Sequence, residues 1–285
     1  MKKQIFTLGG IFFTASLLAQ TPATKIVLNK GQKIVVQTTV SIETNMAPGM
    51  DASSNSTSEN ILFVKEATDK NYTISNSLAK LKLNMEMMGK SNSYDSEKKQ
   101  DQDTEIGKGL GEKLNKSSDV IIDKSTGNAI ITKKPEAKKD VSEADPMQNM
   151  LQMFGDAGSD ESIVSGAFEI IPQGKKPGDS WADTTTEKDK KTIRTYTFKS
   201  NADTGAVIRQ NTVVVSASTM EMMGMSLEVN TTTQSNSDIL LDIATGQVKR
   251  KSTESNVTGS FQMMGQDSPI SAKATTVSIY KNNPG

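Results

Sequence analysis

The feature that most constrains the fold is a five-residue segment that occurs twice. Met85–Gly89 and Met220–Gly224 both read Met-Glu-Met-Met-Gly, and they lie 135 residues apart (220 minus 85). Extended backwards without a gap, this alignment pairs residues 61–89 with residues 196–224 and matches Phe63 with Phe198. Apolar and polar residues alternate before the first copy, which is typical of a strand with one buried face. The chain is therefore predicted to contain a duplicated β-hairpin unit.

Two further sequence pairs support the duplication. Asp123–Gly127 and Asp242–Gly246 both read Asp-x-x-Thr-Gly between apolar residues, which predicts a hairpin turn in each unit. Their glycines are 119 residues apart (246 minus 127), which is 16 fewer than 135. The charged segment Ser96–Asp103 is therefore predicted to belong to an insertion in the first unit. Lys30-Gly31-Gln32 and Lys176-Pro177-Gly178-Asp179 are predicted to begin the two units.

Strand patterns occupy most of the remaining chain. Period-two alternation and β-branched residues predict the strands, and a Ser- and Asn-rich loop is predicted over residues 45–60. In the first unit the predicted strands cover residues 34–40, 61–66, 72–74, 81–87, 120–122 and 129–131. In the second unit they cover residues 193–199, 206–222, 225–233, 238–241, 248–261 and 270–280.

Two segments show helical spacing of apolar residues. Ile106–Leu114 predicts a short helix, which its glycines weaken, and Met147–Phe154 predicts an amphipathic helix. The apolar stripe of the second helix is expected to pack on the sheet; the alternative is that it binds a partner. Trp181, the only tryptophan, is expected to fill the core rather than to contact a ligand.

Successive hairpins without β-α-β alternation indicate an antiparallel sheet. The predicted fold class is mainly β (α+β): duplicated antiparallel β-hairpin units that form a curved sheet or half-barrel with one or two packed helices. The predicted boundaries are a signal peptide at 1–19, a first β repeat unit at 20–134, a charged linker with the amphipathic helix at 135–169, and a second β repeat unit at 170–285. The two units are expected to form one domain.

The composition excludes several classes of function. The chain has 33 basic and 33 acidic residues, so no net charge favours nucleic acid, and a nucleic-acid partner is not expected. It has no cysteine and no histidine. Disulfides, thiolate or imidazole metal sites, Ser-His-Asp triads and the lipid-modified cysteine of a lipoprotein are therefore unavailable. No cofactor and no metal site are predicted.

The N-terminal segment has the pattern of a secretory signal. Lys2 and Lys3 precede an apolar stretch over Ile5–Leu18, and small residues lead to a predicted cleavage after Ala19. The apolar stretch is short for a membrane span, so an uncleaved anchor is the weaker alternative. The mature protein is expected to be exported and soluble, in the periplasm or released, without an integral membrane span.

Methionines cluster at the predicted hairpin turns. Four interpretations remain open: filling of irregular space under the turns, a rim that accepts an apolar ligand or partner, a thioether site for Cu(I), or sacrificial oxidation. Space filling is the default interpretation. The candidate ligand-binding residues of the second interpretation are Met85, Met87, Met88, Met220, Met222, Met223, Met263 and Met264.

Glu86 and Glu221 are the duplicated carboxylates, and a pair of carboxylates can act in acid-base chemistry. Their positions between apolar residues predict that they face the solvent instead. No catalytic residue is predicted, and the protein is not expected to be an enzyme.

The order of these motifs resembles a known family. The Gly-Gln strand start, Ser93-Tyr94-Asp95-Ser96, the Asp-x-x-Thr-Gly turns, Lys176–Trp181 and the Met-Met-Gly turns resemble domain-of-unknown-function family 6263. The resemblance implies an exported, β-rich envelope protein without an established activity, so it implies no functional residues. The outline is also similar to half-barrels that bind lipids or lipoproteins in the bacterial envelope.

The sequence thus predicts an exported, non-enzymatic envelope protein that binds an apolar, lipid-like ligand or another envelope component. The alternative is a structural or adhesive surface module without a small-molecule ligand.

Overall fold

The structure is a computed structural model that describes residues 23, 25–45, 51–87, 89–111, 114–130, 159–202, 205–222, 225–263 and 266–283. At residues 105, 106, 109, 220–222, 225–227, 263 and 266 it describes the backbone. The predicted signal peptide, the charged linker and the predicted helix Met147–Phe154 lie outside the described residues.

The described chain forms twelve strands and three short helices. The strands are β1 (Lys33–Asn45), β2 (Asp51–Ala67), β3 (Asn71–Met87), β4 (Lys90–Asp95), β5 (Ser117–Asp123), β6 (Ala129–Ile130), β7 (Ser180–Glu187), β8 (Lys190–Ala202), β9 (Gly205–Met222), β10 (Met225–Asp242), β11 (Gln247–Met263) and β12 (Gln266–Asn283). The helices are α1 (Lys99–Gln102), α2 (Glu105–Gly111) and α3 (Asp160–Ser165).

All twelve strands belong to one open, curved antiparallel sheet. Its order is β6-β5-β3-β2-β1-β12-β11-β10-β9-β8-β7, and β4 pairs with β3. The first and last strands, β1 and β12, pair at the centre, from Lys33 opposite Asn283 to Asn45 opposite Ser271. The predicted fold class is confirmed.

The duplication is visible in the hydrogen bonds that begin each half. The N–H of Gly31 donates to Val64 O and the N–H of Val64 to Gln32 O. In the second half, Gly178 N–H donates to Phe198 O and Phe198 N–H to Asp179 O. The hairpin β2–β3 therefore corresponds to the hairpin β8–β9.

This correspondence corrects the ungapped alignment by one residue. Val64, not Phe63, is the counterpart of Phe198, and accordingly Phe198 is 2% exposed while Phe63 is 43% exposed. Three residues separate β2 from β3 but only two separate β8 from β9, and this difference shifts the register. A shift of one residue exchanges the two faces of a strand.

The insertion predicted in the first unit is confirmed. In the second half, β10 runs without interruption beside β9. In the first half its place is taken by two strands, because β4 pairs with residues 82–87 of β3 and β5 pairs with residues 71–77. The interruption between them carries α1 and α2.

Two predicted interruptions were wrong. Residues 51–60, predicted as part of a loop, begin β2, and the gap predicted between residues 233 and 238 lies inside β10. Both stretches are rich in Ser and Asn, which are uncommon in strands and common in turns. Their side chains nevertheless alternate, since Ser54 is buried and Asn55 is exposed. The sheet imposes the strand because both neighbours already supply backbone partners.

One face of the sheet carries the main hydrophobic core, and we call it the inner face. The core lies at the end where β2 joins β3 and β10 joins β11, which we call the base. Two segments outside the sheet, around Ile26–Leu28 and Val164–Ile171, supply buried residues to it. Trp181 is partly buried and packs against this core, as predicted.

Candidate functional site

The two Asp-x-x-Thr-Gly turns fold over the base of the inner face. In each turn the aspartate carboxylate accepts backbone N–H groups two and three residues ahead, at 2.8 and 3.0 Å for Asp123 and at 3.1 and 3.2 Å for Asp242. The N–H of Gly127 and of Gly246 each closes the turn onto its aspartate carbonyl at 2.9 Å. The sequence identity of the turns thus reflects an identical local structure.

The turns meet on the same short segment. Ile26 N–H donates to Lys124 O at 2.7 Å, and Val27 N–H donates to Thr245 O at 2.9 Å. Because Lys124 and Thr245 belong to opposite halves of the sheet, this segment joins the halves at the base. Ile26 is fully buried, and the base is therefore closed by the chain itself.

Above the base core, the inner face carries hydroxyl groups. They pair across neighbouring strands: Thr38 with Ser278 at 3.0 Å, Ser237 with Thr253 at 2.8 Å, and Ser235 with Ser255 at 2.8 Å. We call these residues the hydroxyl band. Each hydroxyl both donates and accepts, so the band satisfies its own polar groups while it remains sheltered.

Beyond the hydroxyl band the inner face becomes apolar again. We call this region the apolar band. It consists of residues that are at least nine-tenths buried and that belong to neither described core cluster: Ile42, Val229, Val257, Phe261, Ile270 and Ala272. Register places Val229 opposite Phe261, and Val257 opposite Ala272. The inner face therefore has two apolar regions separated by hydroxyl groups.

The methionine-bearing turns lie at the end of the sheet opposite the base, which we call the rim. The β3–β4, β9–β10 and β11–β12 connections all lie there. Met85 is buried and Met87 is half-buried, and both pack with Leu83, Ala52 and Leu110 of α2. These two positions, and the exposure of Glu86, agree with the predicted alternation.

The remaining candidate methionines are placed by their backbones or not at all. Met220 is opposite Leu227, Met222 is opposite Met225, and Met263 is opposite Gln266. Met88, Met223 and Met264 lie outside the described residues. The topology brings the clusters to one end of the sheet, but Met85 and Met220 are on strands separated by five others. A ligand-binding role for these methionines stays a prediction.

A second group of residues, which the sequence did not single out, forms a charged network on the inner face. Lys251 donates to Gln210 Oε1 at 3.1 Å. Tyr196 and Arg194 both donate to the carboxylate of Asp183, at 3.1 and 3.0 Å. Glu169 is held near this group because its N–H donates to Gly246 O at 2.9 Å.

Trp181 covers one side of this network. Its ring stacks on Tyr196 with centroids 5.3 Å apart and an interplanar angle of 6°. The network lies directly above the base core, since Gln210 and Tyr196 pair across β8 and β9 two residues beyond the core residues Ile208 and Phe198.

Burial changes the acidity of this network. Desolvation raises the pKa of Glu169 to about 7, although the charges of Lys251 and Arg194 oppose the change. Desolvation also lowers the pKa of Lys251, against the attraction of Glu169. The pKa of the Tyr196 phenol is raised, first by desolvation and then by the charges of Glu169 and Asp183. Perturbed acidity of this kind is common at functional sites and also occurs in structural networks.

No sequence pattern announces this network. Its members come from β7, β8, β9, β11 and the segment before β7, and they are separated by as many as 82 residues (251 minus 169). Only Trp181 carried a signal, as the single tryptophan. Within the described ranges there is no group of three or more acidic side chains that could hold a metal ion. In the same ranges no helix is long and apolar enough to cross a membrane.

Comparison with known proteins identifies the family. The model of a family of unknown function (DUF6263) matches residues 69–248, more than half of the chain. The chain belongs to this family. The match extends from the β2–β3 connection to the start of β11, and so includes both Asp-x-x-Thr-Gly turns. No curated protein matches the chain significantly.

Solved structures resemble the chain only weakly. One match is lipovitellin, in a structure on lipid-protein interactions, with a TM-score of 0.45, 11% identity, and coverage of 93% of this chain and 26% of lipovitellin. The chain thus spans about a quarter of that protein. An outer membrane channel (COG4313) from Pseudomonas putida F1 has a TM-score of 0.25 and 9% identity, with coverage of 91% and 99%. OccK7 (OpdD) from Pseudomonas aeruginosa has a TM-score of 0.25 and 8% identity, with coverage of 89% and 100%.

Proposed function

We propose that this protein is an exported, non-enzymatic envelope protein whose inner face binds an apolar, lipid-like molecule or another envelope component. The observation that carries the proposal is the apolar band, a second apolar region separated from the base core by hydroxyl groups. The base core already joins both halves of the sheet. An additional apolar lining on the same face is therefore suited to a ligand.

The position of the apolar band supports access from the rim. Val229 and Phe261 lie opposite each other on β10 and β11, close to the connections that carry Met222 and Met263. Methionine side chains are flexible and adapt to ligands of different shape. An apolar ligand would enter past these turns and lie along the inner face, away from the closed base.

Ligand binding is tested with protein purified from its own envelope. Native mass spectrometry is expected to show a retained molecule, and the delipidated protein is expected to bind the apolar fluorophore N-phenyl-1-naphthylamine. Val257→Thr, which adds a hydroxyl without changing volume, should weaken fluorophore binding. Val213→Thr, at an exposed position, is the matched control. An apo mass together with no fluorophore binding would overturn the ligand proposal.

Export is tested by the mass of the mature protein. Cleavage after Ala19 would leave Gln20 as the first residue, so intact-mass measurement of protein from the periplasmic or secreted fraction should show the loss of residues 1–19. Full-length protein confined to the cytoplasmic fraction would contradict export.

A second candidate function is a structural or adhesive module, and the edge strand β7 favours it. Seven of the eight residues of β7 are exposed, and the strand pairs with β8 without a bulge. Its free edge could pair with an extended segment of a partner. Crosslinking in whole cells through a photoreactive residue at Thr185 should then capture one specific protein, whereas the ligand proposal predicts no such product.

A further inference from the structure

We propose that the apolar ligand is an amphiphile with a neutral, polyhydroxylated headgroup, and that this headgroup occupies a groove at the rim. The inference rests on the proposed function, since it concerns the other end of the same ligand. The groove has a volume of about 640 Å³ and crosses the sheet from β7 to β11 under the β7–β8 turn. We call it the rim groove.

The chemistry of the rim groove favours a sugar-like ligand. Hydroxyl side chains are the largest class of its lining: Thr186, Ser216, Thr231, Thr232, Thr258 and Ser260. Asn230 adds an amide. Hydroxyls and amides both donate and accept hydrogen bonds, which matches the hydroxyls of a sugar. An anionic headgroup would instead be matched by an excess of cations or by clustered N–H donors.

The charges of the groove are nearly balanced. Three lysines at 188, 190 and 191 stand beside Glu187 and Asp189. Since the acids offset most of the positive charge, the groove has little preference for a phosphate or carboxylate. Their donors and acceptors remain compatible with a neutral polar group.

The groove is built into the sheet rather than formed by a loose loop. Ala217 N–H donates to Asp189 O at 2.9 Å and so fixes the β7–β8 turn beside β9. Ser216 and Thr231 share a hydrogen bond at 2.9 Å on the groove floor. At Gly259, a Cβ atom would lie 2.1 Å from Asn230 O, so the close approach of β11 to β10 requires glycine here.

The groove and the apolar band are contiguous. Gly259 lines the groove, and Val257 and Phe261 of the apolar band are its neighbours on the same face of β11. Residues two apart along a strand are about 7 Å apart. A headgroup in the rim groove therefore places an attached tail directly on the apolar band. This juxtaposition is the reason to expect one amphiphile instead of two separate ligands.

The test compares two amphiphiles with the same tail. Isothermal titration calorimetry below the critical micelle concentration measures binding of dodecyl maltoside, dodecylphosphocholine and free maltose to the delipidated protein. Dodecyl maltoside is expected to bind about tenfold or more tightly than dodecylphosphocholine. Thr231→Val should remove most of this preference without changing dodecylphosphocholine affinity. Thr39→Val, an exposed position in β1, is the matched control.

The outcomes separate the two proposals. Equal affinity for the two detergents would overturn the headgroup inference and leave the proposed function intact. Maltose binding as tightly as dodecyl maltoside would overturn the amphiphile, because the groove would then take free saccharides. No binding of either detergent, together with no binding of the apolar fluorophore, would overturn the proposed function and this inference together. Loss of the preference in Thr39→Val as well would remove the assignment of the headgroup to the groove.

Discussion

At the scale of single residues, Glu169 is the most informative position. Its pKa of about 7 in the folded protein lies above the ordinary value of 4.5. The folded state therefore holds a proton more tightly than the unfolded state between these pH values. Its contribution to stability is greatest below about pH 4.5 and is lost as the pH rises to about 7.

We expect the free energy of unfolding to fall between pH 5 and pH 7, by up to about 3 kcal/mol from this group. Glu169→Gln cannot ionise and should flatten this part of the profile. Glu161→Gln, at an exposed position in α3, should leave the profile unchanged. Urea unfolding at several pH values provides the measurement, and equal slopes in the wild type and Glu169→Gln would contradict the prediction.

Two phenylalanines give a matched comparison of the faces. Phe261 in the apolar band is 3% exposed and Phe63 on the opposite face is 43% exposed. Phe261→Ala should lower the free energy of unfolding by about 3–5 kcal/mol, because it removes a buried ring. Phe63→Ala should lower it by less than about 1 kcal/mol. Chemical denaturation measures both, and similar losses would show that Phe261 is not packed as the structure indicates.

At the scale of elements, the inserted helices interrupt a strand that the other half keeps continuous. Residues 78–81 of β3 lie between the partners of Asp95 and Ser117. Replacing residues 96–116 by Thr231–Gln234 should therefore produce one continuous strand. We expect the variant to fold cooperatively with a lower melting temperature, since Met85 and Leu83 lose the cover of Leu110.

Circular dichroism and thermal unfolding test this replacement. The same deletion without the four-residue bridge is the control, and it should unfold without cooperativity because Asp95 and Ser117 cannot both keep their partners. If the bridged variant also lacks a cooperative transition, α1 and α2 are required for folding and are not a dispensable insertion.

At the scale of the whole molecule, β12 joins the two halves. It pairs with β1 on one side and β11 on the other, so the sheet closes only when the last strand of the chain is added. A chain that ends at Met263 should lack a cooperative transition and should elute as aggregates, because two long edges are left unpaired. A chain that ends at Asn283 is the matched control.

Addition of a synthetic peptide of residues 266–283 should restore a monomeric species and a cooperative transition to the truncated chain. Size-exclusion chromatography and circular dichroism provide the measurements. A truncated chain with the wild-type melting temperature would contradict a joining role for β12.

The sequence by itself determined the parts that depend on local chemistry. Asp-x-x-Thr-Gly forms the same turn twice, because aspartate accepts the backbone N–H groups ahead of it and glycine takes the positive φ at the end. Alternation placed Met85 inside and Glu86 outside, and the spacing of the turns located the insertion. The antiparallel architecture and the family resemblance followed from the same features, and both are confirmed.

The tertiary structure alone decided what depends on long-range pairing. The Ser- and Asn-rich starts of β2 and the middle of β10 are strands because their neighbours supply partners, against local propensity. The one-residue register shift at Val64 follows from a difference in turn length, and no alignment without gaps reveals it. The charged network around Glu169 and the rim groove unite residues from distant strands. Their acidity and shape arise from desolvation and from the curvature of the sheet, which no single segment of sequence contains.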